Sequence, residues 1–152
     1  MDWRFTTEEG ICHVRVAGIL VREGRLLVQN DGSAYAIPGG HLRFGETTEE
    51  ALLREFQEEM GIDIVCRRLL WTEENFWQWG AKKAHNLGYY YLVELSEGCT
   101  APKAGARMKD NSSVCFDWLP TDSLDGVTIY PEFLKTELCR LGGPPKHFIR
   151  RG

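Results

Sequence analysis

The chain has 152 residues, of which 43% are hydrophobic, and this is enough apolar material for one packed domain. Its formal net charge of -4 provides no overall basic surface, which argues against a protein whose main task is to hold duplex nucleic acid. Small anionic substrates stay compatible with this charge if a metal ion supplies the positive charge.

Neither a targeting segment nor a disulfide framework is evident. The first residues, MDWRFTTEEG, lack the basic start and apolar run of a signal peptide, and no segment is apolar over the length of a membrane span. The five cysteines are widely spaced and form no C-x-x-C pair, which favours reduced thiols. We therefore expect a soluble, cytoplasmic protein with a single domain over residues 1–152.

The first third of the chain predicts a β-hairpin followed by a loop. The run ICHVRVAGILV is rich in β-branched residues, and REGR provides a Gly-centred turn into LLVQ. A short strand-like run at 35–37 then meets Pro38, Gly39 and Gly40. We expect these three residues to exclude regular secondary structure and to leave backbone groups free to face a ligand.

A helix is predicted over residues 47–60. Thr47 and Glu50 have the spacing of a capping box, and Gly61 offers a C-terminal stop. Apolar residues recur at every fourth position between them, namely Leu52, Phe56 and Met60.

The second half of the chain alternates strand-like runs with a long loop. The strand-like runs are 62–71, 75–79, 87–95 and 114–119. Residues 96–113 have no periodicity and predict a surface loop, whereas EFLKTELCRL after Pro131 reads as a terminal helix. The tail, 144–152, is expected to fray. The pattern favours an α/β/α sandwich around a mixed β-sheet.

The predicted helix concentrates negative charge on one face. Glu55, Glu58 and Glu59 are three and four residues apart, so their carboxylates project together beside the apolar stripe. Such hard oxygen ligands suit Mg²⁺ or Mn²⁺, and Arg54 lies at helical spacing to hold one carboxylate against its neighbours. The alternative is a glutamate-rich helix that is merely solvated.

The arrangement around these glutamates matches a longer motif. The segment 40–62 fits every position of the motif Gly-x5-Glu-x7-Arg-Glu-U-x-Glu-Glu-x-Gly-U, in which U is a bulky apolar residue. It consists of Gly40, five residues, Glu46, seven residues and then REFQEEMGI. This segment resembles the signature of the Nudix hydrolase family. The resemblance implies the sandwich fold and frequent homodimers. It also implies metal-dependent hydrolysis of a nucleoside diphosphate linked to another group, by water attack at phosphorus.

The resemblance also implies roles for individual residues. Metal would be held by Glu55, Glu58 and Glu59 with the carbonyl of Gly40, and Glu46 would lie at the edge of the site. Arg54 would hold the glutamates in place, so that Glu55, Arg54 and Glu58 are the expected catalytic residues. Glu55 is the first candidate for the base that activates water, with Asp110 of the long loop as the alternative and Glu97 and Asp117 as rivals.

The substrate is less well defined than the reaction. The proline that many ADP-ribose hydrolases carry downstream of the motif is absent, because Gln78 stands there, and the tyrosine of many dinucleoside polyphosphate hydrolases is replaced by Trp79 and Gly80. Coenzyme A and NADH signatures are also missing. The candidates for substrate contact each have an aromatic or imidazole ring, and they are Tyr35, His41, Trp77, Trp79 and His85.

Trp77 and Trp79 alternate onto one strand face, where they could stack a base. We favour core or subunit-interface packing for at least one of them. A nucleoside triphosphate or a nucleotide sugar is the favoured substrate, and a small nucleotide the expected partner. One alternative is hydrolysis of a nucleic-acid 5′ end, which the acidic charge disfavours. Another is a nucleotide-sensing domain without catalysis, which predicts losses among the glutamates, and none is lost.

Overall fold

The computed structural model describes all residues, 1–152, as eleven strands and two helices. Their bounds in chain order are β1 Arg4–Thr6, β2 Gly10–Ile19, β3 Val21–Arg22, β4 Arg25–Asn30, β5 Tyr35–Ala36, β6 Gly39–His41, α1 Thr48–Met60, β7 Ile64–Trp79, β8 Lys82–Leu95, β9 Cys115–Pro120, β10 Ile129–Tyr130, α2 Leu134–Glu137 and β11 Lys146–Arg151. Neither helix is long and apolar enough to cross a membrane. All five cysteines are free.

The strands form two sheets. The larger is mixed and has the order β1-β2-β8-β7-β11, with β6 also pairing with β2. Strand β8 runs parallel to β2 and antiparallel to β7, and β11 runs parallel to β7. The smaller sheet has the order β10-β5-β4-β3, with β9 pairing with β4. The predicted hairpin is confirmed in part, because only Val21–Arg22 of its first strand pairs with β4 and the rest belongs to the larger sheet.

Two apolar clusters fill the interior. Neighbouring strand residues point to opposite faces, so Val16 joins the cluster under α1 whereas Ala17 joins the cluster under α2. Helix α1 contributes the fully buried Leu52 and Phe56 to the first cluster, and α2 contributes Leu134 to the second. The predicted mixed α/β fold with few helices is therefore confirmed.

The ends of α1 follow the sequence prediction. Thr47 caps the helix, its side chain accepting from the Glu50 N–H while the Glu50 carboxylate accepts from the Thr47 N–H. Gly61 closes the helix in the left-handed region at φ 67°. This capping fixes the register in which the glutamates leave the helix.

Two predictions in the middle of the chain are wrong. Gly39 and Gly40 do not exclude regular structure, because Gly39–His41 pairs with β2 as a short strand. A side chain at Gly39 could not replace hydrogen there, since its Cβ would lie 1.9 Å from the Val16 carbonyl oxygen. The runs 62–71 and 75–79 merge, apart from residues 62 and 63, into one strand, β7, which pairs with β8 and has two bulges.

The C-terminal predictions are also wrong. The predicted ten-residue helix shrinks to the four residues of α2. The tail, 144–152, does not fray, because its residues Lys146–Arg151 pair with β7 as an edge strand. Phe148 of this strand stacks on Phe133 with ring centroids 4.1 Å apart, which joins the tail to the second cluster.

Candidate active site

Arg54 is the centre of the carboxylate cluster. Its Nε and Nη2 atoms donate to the two oxygens of Glu46 at 2.5 and 3.0 Å. Its Nη1 donates to Glu55 at 2.8 Å and to Glu58 at 3.3 Å, and Nη2 also reaches the His41 carbonyl at 3.1 Å. Bonding to Arg54 lowers the pKa of Glu46. One guanidinium thus fixes three carboxylates and the strand beside them.

Glu59 differs from the other glutamates because it is buried. Only 5% of the residue is exposed, and its Oε2 has no hydrogen-bond partner. Burial, and next the charge of Glu55, raises the pKa of Glu59, while Arg15 acts in the opposite direction. A buried carboxylate without a partner is costly unless something supplies positive charge or donors. The Glu59 carboxylate therefore lacks a compensating positive charge or hydrogen-bond donor.

Gly40 makes room for the same cluster. A Cβ built on Gly40 would lie 2.3 Å from Cδ of Glu55, so a larger residue would require the Glu55 carboxylate to shift. The backbone of Gly40 is therefore in direct contact with the Glu55 carboxylate. The donor set consists of hard oxygens around a glycine backbone, and these suit Mg²⁺ or Mn²⁺. As they stand, no three His, Cys, Asp or Glu side chains lie in a group that could hold a metal ion.

The long loop 96–113 returns to the end of α1. The Lys109 N–H donates to the Glu59 carbonyl at 2.9 Å, and the neighbouring Asp110 is exposed but close enough for its charge to act on Glu59. Asp117 instead lies on β9 and accepts from the Trp118 N–H at 2.8 Å. Between Asp110 and Asp117, the fold carries Asp110 to the carboxylates.

A cavity of about 530 Å³ opens beside the cluster. Arg15 connects the two, because it lines the cavity, bonds the Ile37 carbonyl at 2.8 Å and acts electrostatically on Glu59. The other walls come from strands of both sheets and include the polar or aromatic residues His13, Gln29, Glu73, Trp77, Tyr90 and Arg150. This is a concave, partly aromatic site of the size of ordinary ligand pockets.

The prediction that Trp77 or Trp79 packs in the core is wrong. Trp77 is 38% exposed and Trp79 is 53% exposed, so neither is a core residue. Trp77 lines the cavity with its indole Nε1 donating to Asn86 Oδ1 at 3.2 Å, whereas Trp79 lies farther out with Arg4 over its ring. Packing of either ring in a subunit interface stays a prediction.

The other predicted contact residues are scattered. His41 lies next to the cluster, with its ring edge-on to His13 at 4.8 Å, and burial lowers its pKa. Tyr35 is half-buried on β5 and packs against the second apolar cluster. His85 is exposed and stacks on Phe76 at 4.1 Å, and it does not line the cavity.

Sequence reasoning missed most of the cavity. On β7 the polar residues at 72–75 are consecutive and do not alternate, but on β2 polar residues alternate with apolar ones, at 13 and 15. This period of two, with polar side chains on an inward face, is the signal that could have indicated a polar cavity.

Comparison with known proteins decides the family. The model of the NUDIX domain matches residues 13–136 of this chain. The chain belongs to the Nudix hydrolase family. The predicted family and enzyme class are therefore confirmed.

The relatives agree with this assignment. The Nudix chain is 33% identical over 114 residues to a MutT-like protein of Streptomyces ambofaciens, covering 73% of this chain and 66% of that protein. It is 34% identical over 84 residues to an 8-oxo-dGTP diphosphatase of Proteus vulgaris, covering 55% and 72%. A solved NUDIX hydrolase from Nitrosomonas europaea has the same fold, with a TM-score of 0.65, 16% identity and coverage of 92% and 79%.

Proposed function

We propose that this protein hydrolyses a nucleoside diphosphate linked to another group, of the nucleoside triphosphate or nucleotide-sugar type, with the help of a divalent metal. The observation that carries the proposal is the buried Glu59 oxygen without a partner, which lies beside Glu55 on the helix that also presents Glu58. A solvated helix would not bury one of its glutamates in this way. The merely solvated alternative is thereby disfavoured.

Mg²⁺ or Mn²⁺ would be held by Glu55, Glu58 and Glu59 with the backbone of Gly40, and Glu46 would remain at the edge with Arg54. When bound, such an ion supplies positive charge to the diphosphate and lowers the pKa of a bound water. The Arg54 fork keeps the Glu55 and Glu58 carboxylates in place. The absence of a side chain at Gly40 leaves room for the Glu55 carboxylate beside β6.

Activation of the attacking water needs a general base. Glu55 is the first candidate because it lies within the cluster, and Asp110 is the second because its loop is bonded to the end of α1. The cavity would take the nucleoside, with Trp77 as an aromatic wall and Arg15 between nucleoside and carboxylates. Similarity to an 8-oxo-dGTP diphosphatase supports a nucleoside triphosphate.

The two alternatives from the sequence are less well supported. A nucleic-acid 5′ end would need a basic path for the chain, and the net charge is -4. A sensing domain has no need for the complete set of Glu46, Glu55, Glu58 and Glu59. Assembly as a homodimer stays a prediction that sedimentation can test.

The purified protein should be assayed with Mg²⁺ or Mn²⁺ against nucleoside triphosphates, nucleotide sugars, dinucleotides and capped RNA, with phosphate measured after phosphatase treatment. We expect turnover of a small nucleotide that stops on chelation and in Glu55→Gln. Glu49→Gln is the matched control, because Glu49 is exposed and lies outside the Arg54 network. Turnover that survives chelation, or no turnover of any nucleotide, would contradict the proposal.

A further inference from the structure

The cavity beside the carboxylates contains most of the unpaired polar atoms of the protein. Four buried side-chain nitrogen or oxygen atoms lack a hydrogen-bond partner, and one of them belongs to Glu59. The other three are on residues that line the cavity, namely His13 Nδ1, Gln29 Oε1 and Glu73 Oε2. Because buried polar atoms are nearly always paired, their concentration here indicates a ligand that supplies the missing partners.

Glu73 is the most exceptional of these residues. It is only 3% exposed, yet it is one of the residues that line the cavity, from the middle of β7. Burial raises its pKa, although the charge of Arg150 and the hydroxyl of Tyr90 act in the opposite direction. Neither partner occupies Oε2. Glu73 therefore contributes a buried acceptor without a partner to the inner wall of the cavity.

The surroundings of Glu73 suit a flat ring. Tyr90 and Trp77 line the same cavity, and the Trp77 indole is held by its bond to Asn86, which also accepts from Asn75 at 3.3 Å. Aromatic faces stack nucleobases without regard to sequence, so they do not select among bases. Selection must come from hydrogen bonds at the edge of the ring.

We propose that Glu73 accepts hydrogen bonds from the Watson–Crick edge of the nucleobase and thereby gives the enzyme a preference for guanine-type bases. The inference rests on the proposed function, since it names the base within the same substrate. Guanine presents adjacent N–H donors at N1 and N2, which two carboxylate lone pairs can accept together. Uracil and thymine place one N–H between two carbonyl oxygens, which a carboxylate repels. Adenine and cytosine place an amino group next to a ring acceptor.

Binding without metal tests this preference separately from catalysis. Calorimetry should compare GMP, AMP and UMP on the wild-type protein, on Glu73→Gln and on Glu74→Gln in the presence of a chelator. Glu74 is the matched control, because the next residue of β7 points to the opposite face, where it bonds His147 at 2.8 Å. We expect Glu73→Gln to weaken GMP binding by about tenfold or more, with little change for UMP. Glu74→Gln should leave the affinities for GMP and for UMP unchanged.

A modified ligand tests the same contact without a mutation. 1-Methyl-GMP lacks the N1 donor, and we expect it to bind the wild-type protein at least about tenfold more weakly than GMP. Equal affinities for GMP and 1-methyl-GMP, or no preference of the wild type for GMP over UMP, would overturn the proposal. Equal losses for all three nucleotides in Glu73→Gln would also overturn it, because Glu73 would then contact the sugar or support the fold.

The outcomes separate this inference from the proposed function. Guanine-selective binding without turnover in any metal would contradict the hydrolase proposal and leave the role of Glu73 standing. Turnover of all nucleotides at similar kcat/KM, with no base preference in binding, would contradict the role of Glu73 and leave the hydrolase proposal standing. Thermal denaturation checks folding, and we expect only a small change in Tm for Glu73→Gln, since glutamine has the same shape and keeps an oxygen that can accept from the Tyr90 hydroxyl.

Discussion

Replacement of Arg54 tests whether one guanidinium holds the active-site carboxylates together. In Arg54→Ala, Glu46 loses two hydrogen bonds, Glu55 and Glu58 lose one each, and the His41 carbonyl loses its donor. The carboxylates then lie close together without the cation that separates their charges. We expect the free energy of unfolding to fall and the geometry of the cluster to loosen.

The size of the effect follows from burial. Exposed ion pairs contribute about 0–1 kcal/mol, whereas removal of one partner of a buried pair costs about 3–5 kcal/mol. Arg54 is 18% exposed, and its partners Glu46 and Glu55 are 20% and 13% exposed. The network therefore lies nearer the buried limit, and we expect a loss of about 2–4 kcal/mol.

Urea denaturation in the presence of a chelator measures this loss. Arg67→Ala is the matched control, because Arg67 pairs with Glu94 at 2.7 Å but both side chains are more than half exposed, at 54% and 56%. Its expected loss is below about 1 kcal/mol. If Arg54→Ala costs no more than Arg67→Ala, the guanidinium is a surface partner and does not hold the site together. Normal kcat in Arg54→Ala would contradict its positioning role as well.

Three further predictions concern the cluster, the cavity and a half-buried histidine. Glu58→Gln should abolish turnover, because Glu58 is assigned to the metal. It should change the free energy of unfolding by less than about 1 kcal/mol, because Glu58 is 37% exposed. Full activity at saturating Mg²⁺ would contradict the metal assignment. Trp77→Ala should raise KM for nucleotides by an amount worth about 1–3 kcal/mol with a small loss in Tm. Trp79→Ala should alter KM little. An unchanged KM in Trp77→Ala would show that the base lies elsewhere. Burial, then the charges of His41 and Arg15, lowers the pKa of His13 from 6.5 to about 4. Between pH 6.5 and about 4 the unfolded chain therefore binds more protons than the folded protein, so the stability should fall as the pH decreases through this range. His13→Gln should flatten this part of a Tm-against-pH profile. An unaltered profile would mean that His13 does not contribute.

The carboxylate helix could be predicted from the sequence because its determinants are local. The capping box of Thr47 and Glu50, the stop at Gly61 and the spacing of Glu55 and Glu59 all act within a few turns of one helix. The charged face, the apolar face and the family signature therefore coincide in one continuous segment. No contact from the rest of the chain is needed to place these residues on one side of α1.

Local signals misjudged the segments whose conformation depends on distant partners. The tail becomes a strand because the free edge of β7 accepts Lys146–Arg151, a pairing across more than seventy positions of the chain. Gly39–His41 becomes a strand because β2 lies beside it. Polar residues at 72–75 interrupt the apolar pattern of β7, but β8 pairs through them and keeps the strand continuous.

Burial, too, was decided only by the tertiary structure. The sequence presents Glu58 and Glu59 as equivalent members of a charged face, yet Glu58 is partly exposed to solvent while Glu59 is buried against neighbouring elements. Glu73 and Trp77 have the same alternation on β7, but Glu73 lies at the buried middle of the sheet and Trp77 at its open end. Periodicity determines which face a side chain occupies. How deeply that face is covered depends on elements brought over it from elsewhere in the chain, and this coverage creates both the unpaired Glu59 oxygen and the cavity that contains Glu73.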